Sequence, residues 1–143
     1  MFACSREYAE GIKRAIAGEM AAINFYRCLL QMAQDRTDRK IISGILQDEE
    51  RHYRTFCSLY QSLTDSRPDL RQENPQMPRD YLESLFAGVI SETDTADFYS
   101  ELIVATQDLT IRDLIFEIMV DELRHASLLN LLYAKNNCHH HDK

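Results

Sequence analysis

The chain has no tryptophan, only four glycines and only three prolines in 143 residues. Pro68, Pro75 and Pro78 fall in one short stretch, so long tracts on either side run without a helix breaker. That scarcity favours helix and argues against an all-β fold, which needs turn residues at short intervals. No apolar run approaches the ~18–20 residues of a membrane span. Residues 1–10 carry neither the basic start nor the apolar segment of a secretory leader. Basic residues are outnumbered, 16 Lys+Arg against 23 Asp+Glu, for a net charge of −7. A surface of that sign repels phosphate backbones, which speaks against nucleic acid as a partner. The four cysteines, Cys4, Cys28, Cys57 and Cys138, form no C-x-x-C pair. With no leader and no membrane span expected, they read as reduced thiols of a cytoplasmic protein, Cys28 and Cys57 as core residues.

What is present is globular: 45% apolar and 27% charged residues fit a single domain with its own core. The chain also repeats itself at an offset of 73 residues. Residues 6–62 and 79–135 share 19 identities in 57 positions, among them Glu19/Glu92, Tyr26/Tyr99, Asp35/Asp108, Asp48/Asp121, Glu49/Glu122, Arg51/Arg124 and His52/His125. Self-similarity at that level reads as a duplicated helical hairpin. Four stripes step by three or four residues, the helical period. They run Tyr8 to Leu30, Ile42 to Leu63, Leu82 to Ile103 and Ile111 to Leu132. Turns are expected at 34–37 and 107–110, with Asp and Thr capping the helices that follow. The domain therefore divides into a hairpin over 5–63, a connection over 64–77, a hairpin over 78–135 and a flexible tail over 136–143. The 14-residue connection can span ~46 Å at ~3.3 Å per residue, and a 27-residue helix is ~40 Å long. Spacing alone leaves both a short link and a full-length crossover open.

Six polar residues interrupt the apolar stripes: Glu19, Glu49, His52, Glu92, Glu122 and His125. Glu19 and Glu49 are equidistant from the first turn, and Glu92 and Glu122 from the second, so each pair lies level in its hairpin. Each Glu-x-x-His places the histidine one turn along the same face. Four inward carboxylates with no Lys or Arg among them would repel one another and resist burial. Two divalent cations would balance them. Mixed oxygen and nitrogen donors suit iron or manganese, and the lack of thiolate argues against structural zinc.

Beside these six, Tyr26 and Tyr99 sit seven residues after Glu19 and Glu92, on the same face. They are placed to hydrogen-bond a carboxylate or supply an electron, or to be core aromatics with hydroxyls on the rim. Asp48 and Asp121 read either as supports for the histidines' free ring nitrogens or as solvent-facing acids. Arg51 and Arg124 are expected in surface pairs, and Glu50 in solvent. The tail Cys138-His139-His140-His141-Asp142-Lys143 has adventitious metal affinity.

With these residues, the sequence resembles the ferritin-like superfamily, closest to the rubrerythrin-like di-iron proteins. The resemblance covers about residues 5–135 and rests on Glu19, Asp48-Glu49-Glu50-Arg51-His52, Glu92 and Asp121-Glu122-Leu123-Arg124-His125. It implies an all-α, antiparallel four-helix bundle with a long crossover and a two-fold axis through the site. It implies two iron ions, with manganese or a mixed pair as alternatives. Glu49 and Glu122 would bridge the metals, Glu19 and Glu92 would be terminal ligands, and His52 and His125 would each bind one ion. It further implies a homodimer and a reaction with a small oxidant, hydrogen peroxide or dioxygen. Family members with peroxidase activity carry an extra glutamate one turn after the third-helix ligand, where this chain has Thr95. They also carry a C-x-x-C iron domain. Its absence here points to a separate electron donor, such as a rubredoxin-like protein. The alternatives are iron storage without turnover, another di-metal enzyme (a manganese catalase or a hydroxylase), or a polar stripe that only specifies helix pairing.

Overall fold

A computed structural model of the chain describes residues 2–71 and 76–140. Four helices account for nearly all of it: α1 Phe2–Met32, α2 Arg36–Thr64, α3 Tyr81–Ala105 and α4 Leu109–His140. Both expected turns are there, and in each the aspartate does the capping. Asp35 Oδ1 accepts from the Thr37 and Asp38 amides, and Asp108 Oδ1 from those of Thr110 and Ile111. These bonds satisfy donors that a helix start otherwise leaves without partners. At its far end α2 stops on Asp65, which adopts a left-handed conformation (φ 55°) and returns its amide to Gln61. Short polar residues tolerate that region best after glycine.

Cross-bundle contacts fix the topology. Tyr26 of α1 reaches Glu92 of α3 while Tyr99 of α3 reaches Glu19 of α1, so α1 and α3 run antiparallel. The pairs His52–Asp121 and His125–Asp48 set α2 and α4 antiparallel in the same way. Tyr81, at the start of α3, donates to Asp38, at the start of α2. The connection from Thr64 must therefore travel the bundle's length, and the fold is the ferritin-like one with a long crossover. Residues 72–75 of that crossover lie outside the described residues, as do 141–143 of the tail and the side chains of His139 and His140.

Helix α4 does not fray at 136, where a flexible tail is expected. It continues to His140, because Lys135 and Asn136 find partners at the start of α2: Lys135 Nζ donates to Asp35 (2.8 Å) and Asn136 Nδ2 to Asp38 (2.8 Å). The stripes also drift by one residue at equivalent ends of α1 and α3. Leu29 and Leu102 are sealed in the core, while Leu30 and Ile103 are only partly covered. Leu63 stands exposed. Cys28 and Cys57 are free thiols, but half-buried at the margin rather than inside the core. Two apolar clusters form the interior, one around Ile12, Ile16, Phe56 and Ile115, the other around Leu29, Ile42, Leu85 and Leu129. Between them lies a single polar layer.

Candidate metal centre

The polar layer is made of the six residues that interrupt the stripes. Glu19, Glu49, His52, Glu92, Glu122 and His125 are all buried, none more than 3% exposed. One donor atom from each of Glu19, Glu49, His52 and Glu122 falls within a group whose members lie within 4.8 Å of one another. Glu49, Glu92, Glu122 and His125 form a second such group. Glu49 and Glu122 belong to both. The two groups are related by the sequence repeat, residue for residue.

Each histidine presents Nδ1 to the layer and Nε2 to the outside. His52 Nδ1 lies 2.9 Å from Glu122 and 3.8 Å from Glu19, and His125 Nδ1 lies 2.8 Å from Glu49 and 3.8 Å from Glu92. None of these contacts is a hydrogen bond. Among the described residues, the buried side-chain polar atoms without a hydrogen-bond partner all belong to this layer. They are Glu19 Oε2, both Glu49 oxygens, His52 Nδ1, Glu92 Oε2, Glu122 Oε1 and His125 Nδ1. Buried polar atoms are almost always paired, so seven lone-pair donors converging on two points fit a pair of cations.

The outer nitrogens are held across the bundle. His52 Nε2 lies 3.1 Å from Asp121, and His125 Nε2 lies 3.0 Å from Asp48. Sequence reasoning placed these aspartates near the histidines but could not assign the crossed pairing. Arg51 and Arg124 form surface pairs, as expected, and their partners are these same aspartates: Arg51 donates to Asp48 (2.6 Å) and Asp121 (2.9 Å), and Arg124 to the same two (2.6 and 3.0 Å). The four side chains form a ring over the histidines and fix their orientation, the usual role of an outer partner. Glu50 faces away from the layer, as expected, and it pairs with Arg27, which was not expected. On the opposite side the Tyr26 hydroxyl donates to Glu92 and the Tyr99 hydroxyl to Glu19, inside the core rather than on its rim.

Charge follows from this crowding. Burial, then repulsion from Glu49, holds the Glu19 carboxyl well above the usual range. Burial, then Glu49, Glu92 and Glu19, does the same to Glu122. Burial would also raise Glu92, but contacts with His125 and Glu122 bring it below its ordinary value. Burial pushes His52 down, whereas Glu49 and Glu92 overcome burial at His125 and lift it to about 10. Asp48 sits at about 2: burial alone would raise it, and His125 and Arg51 outweigh that. The layout is two-fold but the proton distribution is not, as expected when groups this close share protons as a set.

A cavity of about 320 Å³ opens between α1 and α3 beside Glu19 and Glu92. All four glutamates of the polar layer and Tyr26 line its floor, and Gly18, Ala21, Ala22, Phe25, Gln76, Ser91 and Thr95 complete the wall. No described helix is long and apolar enough to cross a membrane.

The comparisons with known proteins agree with this geometry. The Bacillus subtilis (strain 168) uncharacterized protein YhjR is 33% identical over 115 residues, 80% of this chain and 79% of that protein. A ferritin-like, diiron-carboxylate protein of Bacillus anthracis str. Ames superposes with a TM-score of 0.78 at 20% identity. That match covers 91% of this chain and 97% of the other. A conserved hypothetical protein of Mycobacterium tuberculosis, rv2844, also gives 0.78, at 13% identity over 91% and 93%. The Rubrerythrin family model matches residues 10–133, a span that contains both turns, the crossover and all six residues of the polar layer. The chain belongs to the rubrerythrin family.

Proposed function

We propose that the protein is a non-haem di-iron oxidoreductase whose oxidant is hydrogen peroxide or dioxygen. The observation that carries this reading is the pair of ligand groups sharing Glu49 and Glu122. In this reading Glu19, Glu49, His52 and Glu122 would hold one ion and Glu49, Glu92, Glu122 and His125 the other, each histidine through Nδ1 and with Glu49 and Glu122 common to both. Bound there, two iron ions would exchange two electrons with the oxidant, and manganese or a mixed pair is the alternative filling. The chain's own residues do the rest. Tyr26 and Tyr99 hold the terminal carboxylates by their hydroxyls. The Asp48–Arg51–Asp121–Arg124 ring keeps each imidazole aimed inward. The apolar clusters above and below keep bulk water out of the layer, which strengthens every charge interaction within it. Electrons come from a separate donor protein of the rubredoxin kind.

The α1–α3 cavity favours a second reading, in which a small organic molecule is oxidised beside Glu19 and Glu92. A two-electron oxidant needs only a narrow path, and the cavity of about 320 Å³, which has the four glutamates on its floor, extends past them along Gly18, Ala21, Ala22 and Phe25. Rapid mixing of the reduced, iron-loaded protein separates the readings. Prompt bleaching or colouring with peroxide or oxygen alone supports the first. Oxidation that waits for an added organic substrate supports the second. No reaction with either oxidant under any condition removes both and leaves iron storage.

A further inference from the structure

The polar layer is two-fold in its ligands but not in its access. The cavity beside Glu19 and Glu92 lies on the Phe25 side of the α1–α3 seam and has all four glutamates on its floor. A groove runs on the other side, past Phe98, the counterpart of Phe25 in the repeat. It reaches Tyr99 but none of the glutamates. Size accounts for the difference. Gly18, Ala21 and Ala22 of α1 border the cavity, and their equivalents at the groove are Ser91, Asp94 and Thr95, each larger. Charge differs as well. The groove is bordered by Arg14, whose guanidinium lies 4.2 Å from the centroid of the Phe98 ring, and by Asp94. The equivalents of these two are Ala87 and Ala21, so the Phe25 side has neither ion. Among the described residues no basic side chain borders the cavity, and its four carboxylates would be balanced by two divalent cations.

We infer, building on the reading in which an organic molecule is oxidised beside Glu19 and Glu92, that this cavity is a slot for an uncharged molecule of one substituted ring, admitted by Gly18 and lying against Phe25. An apolar cavity of ~150 Å³ takes up benzene, so about 320 Å³ holds one ring and its substituents. Charge selects against ions. An organic anion finds no cationic side chain there, and an organic cation meets a centre already neutral, so either loses its hydration without a counter-ion. Phe25 offers an aromatic surface for a ring to pack on. Gln76, exposed at the border, brings an amide that can donate to or accept from a hydroxyl or carbonyl on that ring. Gly18 has no packing reason to be glycine. A methyl group placed there would meet no atom within 4 Å, whereas at Gly11 and Gly88 it would lie 2.8 Å from Leu102 and 2.9 Å from Leu129. Glycine inside a helix weakens it. At position 18 that weakness has its counterpart in the open space beside the layer.

Benzyl alcohol is the probe, and the readout is the broadening of its proton resonances by paramagnetic Mn(II) loaded into the full chain, which needs neither iron nor an oxidant. The wild-type protein should broaden the ring protons, and Gly18→Leu, at equal manganese content and helicity, should weaken binding about tenfold or more. Ala17→Leu, one residue away and bordering only the groove, should leave binding unchanged. Benzoate, the anion of nearly the same shape, should bind more weakly than the alcohol. No broadening in the wild type, equal broadening in Gly18→Leu, or benzoate bound as tightly as benzyl alcohol would overturn the inference. Should Gly18→Leu lose manganese, Ala21→Leu on the exposed border decides in its place. The oxidation reading fails separately. Benzyl alcohol that binds by these criteria, with no organic molecule oxidised by the iron-loaded protein, leaves the slot standing without that chemistry. Oxidation of an organic substrate at the same rate in Gly18→Leu overturns the slot and keeps the chemistry.

Discussion

Glu49 and Glu122 differ from their neighbours in one respect: each offers oxygens to both ligand groups, while Glu19, His52, Glu92 and His125 each serve one. That asymmetry predicts unequal losses. Glu49→Ala or Glu122→Ala should empty the centre of both of its about two ions, and Glu19→Ala or Glu92→Ala should leave about one. Metal analysis of purified variants reads the difference directly; equal losses at all four positions would contradict the shared role. A second prediction concerns protons. Burial and mutual repulsion push Glu19 and Glu122 upward, and Glu49 and Glu92 lift His125, so the layer as a set retains protons before a cation arrives. A cation must displace them. Loading Fe(II) or Mn(II) into apo-protein in weakly buffered solution should therefore acidify it, and affinity should rise with pH. Loading without proton release would mean that these carboxyls are already ionised. At this scale the sequence was informative, since six buried acids and imidazoles stand out against apolar stripes. It did not say which aspartate supports which histidine. Asp121 supports His52 and Asp48 supports His125, and that crossing exists only once two hairpins interlock.

Among the elements, the two hairpins were legible because helical period and capping are local. Equal distance from a turn sets register within a hairpin without any knowledge of the other. Spacing alone did not give the crossover, since fourteen residues reach either end of a helix of this length; only the family resemblance implied it. What decides it is Asp38, a residue where the repeat breaks, its counterpart being Ile111. Asp38 is buried and takes hydrogen bonds from Tyr81 (3.1 Å) and Asn136 (2.8 Å) besides its contact with Lys135. It thereby pins the start of α3 and the end of α4 to the start of α2, and it carries α4 beyond the expected stop at 135. Removing its carboxylate strands those donors in a part-buried site. Asp38→Ala should cost about 1–3 kcal/mol, the range for leaving buried donors unpaired. The change lies far from the polar layer in the bundle, so bound metal should be retained. Urea unfolding beside metal analysis tests both halves of the statement. A midpoint equal to wild type would mean that the crossover is held by its apolar contacts, Met77 and Leu70, instead.

For the whole molecule, the division of ligands between hairpins has a thermodynamic consequence. Each group takes three residues from one hairpin and one from the other: Glu19, Glu49 and His52 with Glu122, and Glu92, Glu122 and His125 with Glu49. The helices pack more extensively within hairpins than between them. Cations at the centre therefore tie the bundle where it is least tied by side-chain packing, and they remove the repulsion that burial imposes on four carboxyls. Binding to the folded chain alone stabilises it by ~2.7 kcal/mol per site at a hundredfold excess over Kd. For one site in a domain of this length that is roughly 10 °C in Tm. Thermal unfolding with and without chelator should show at least that rise and a single transition in both states. In Glu49→Ala the rise should vanish, because neither group is then complete. A metal-dependent rise that survives Glu49→Ala would place the stabilising cation elsewhere, and the polar layer would then be a device for pairing helices and not a centre for redox chemistry.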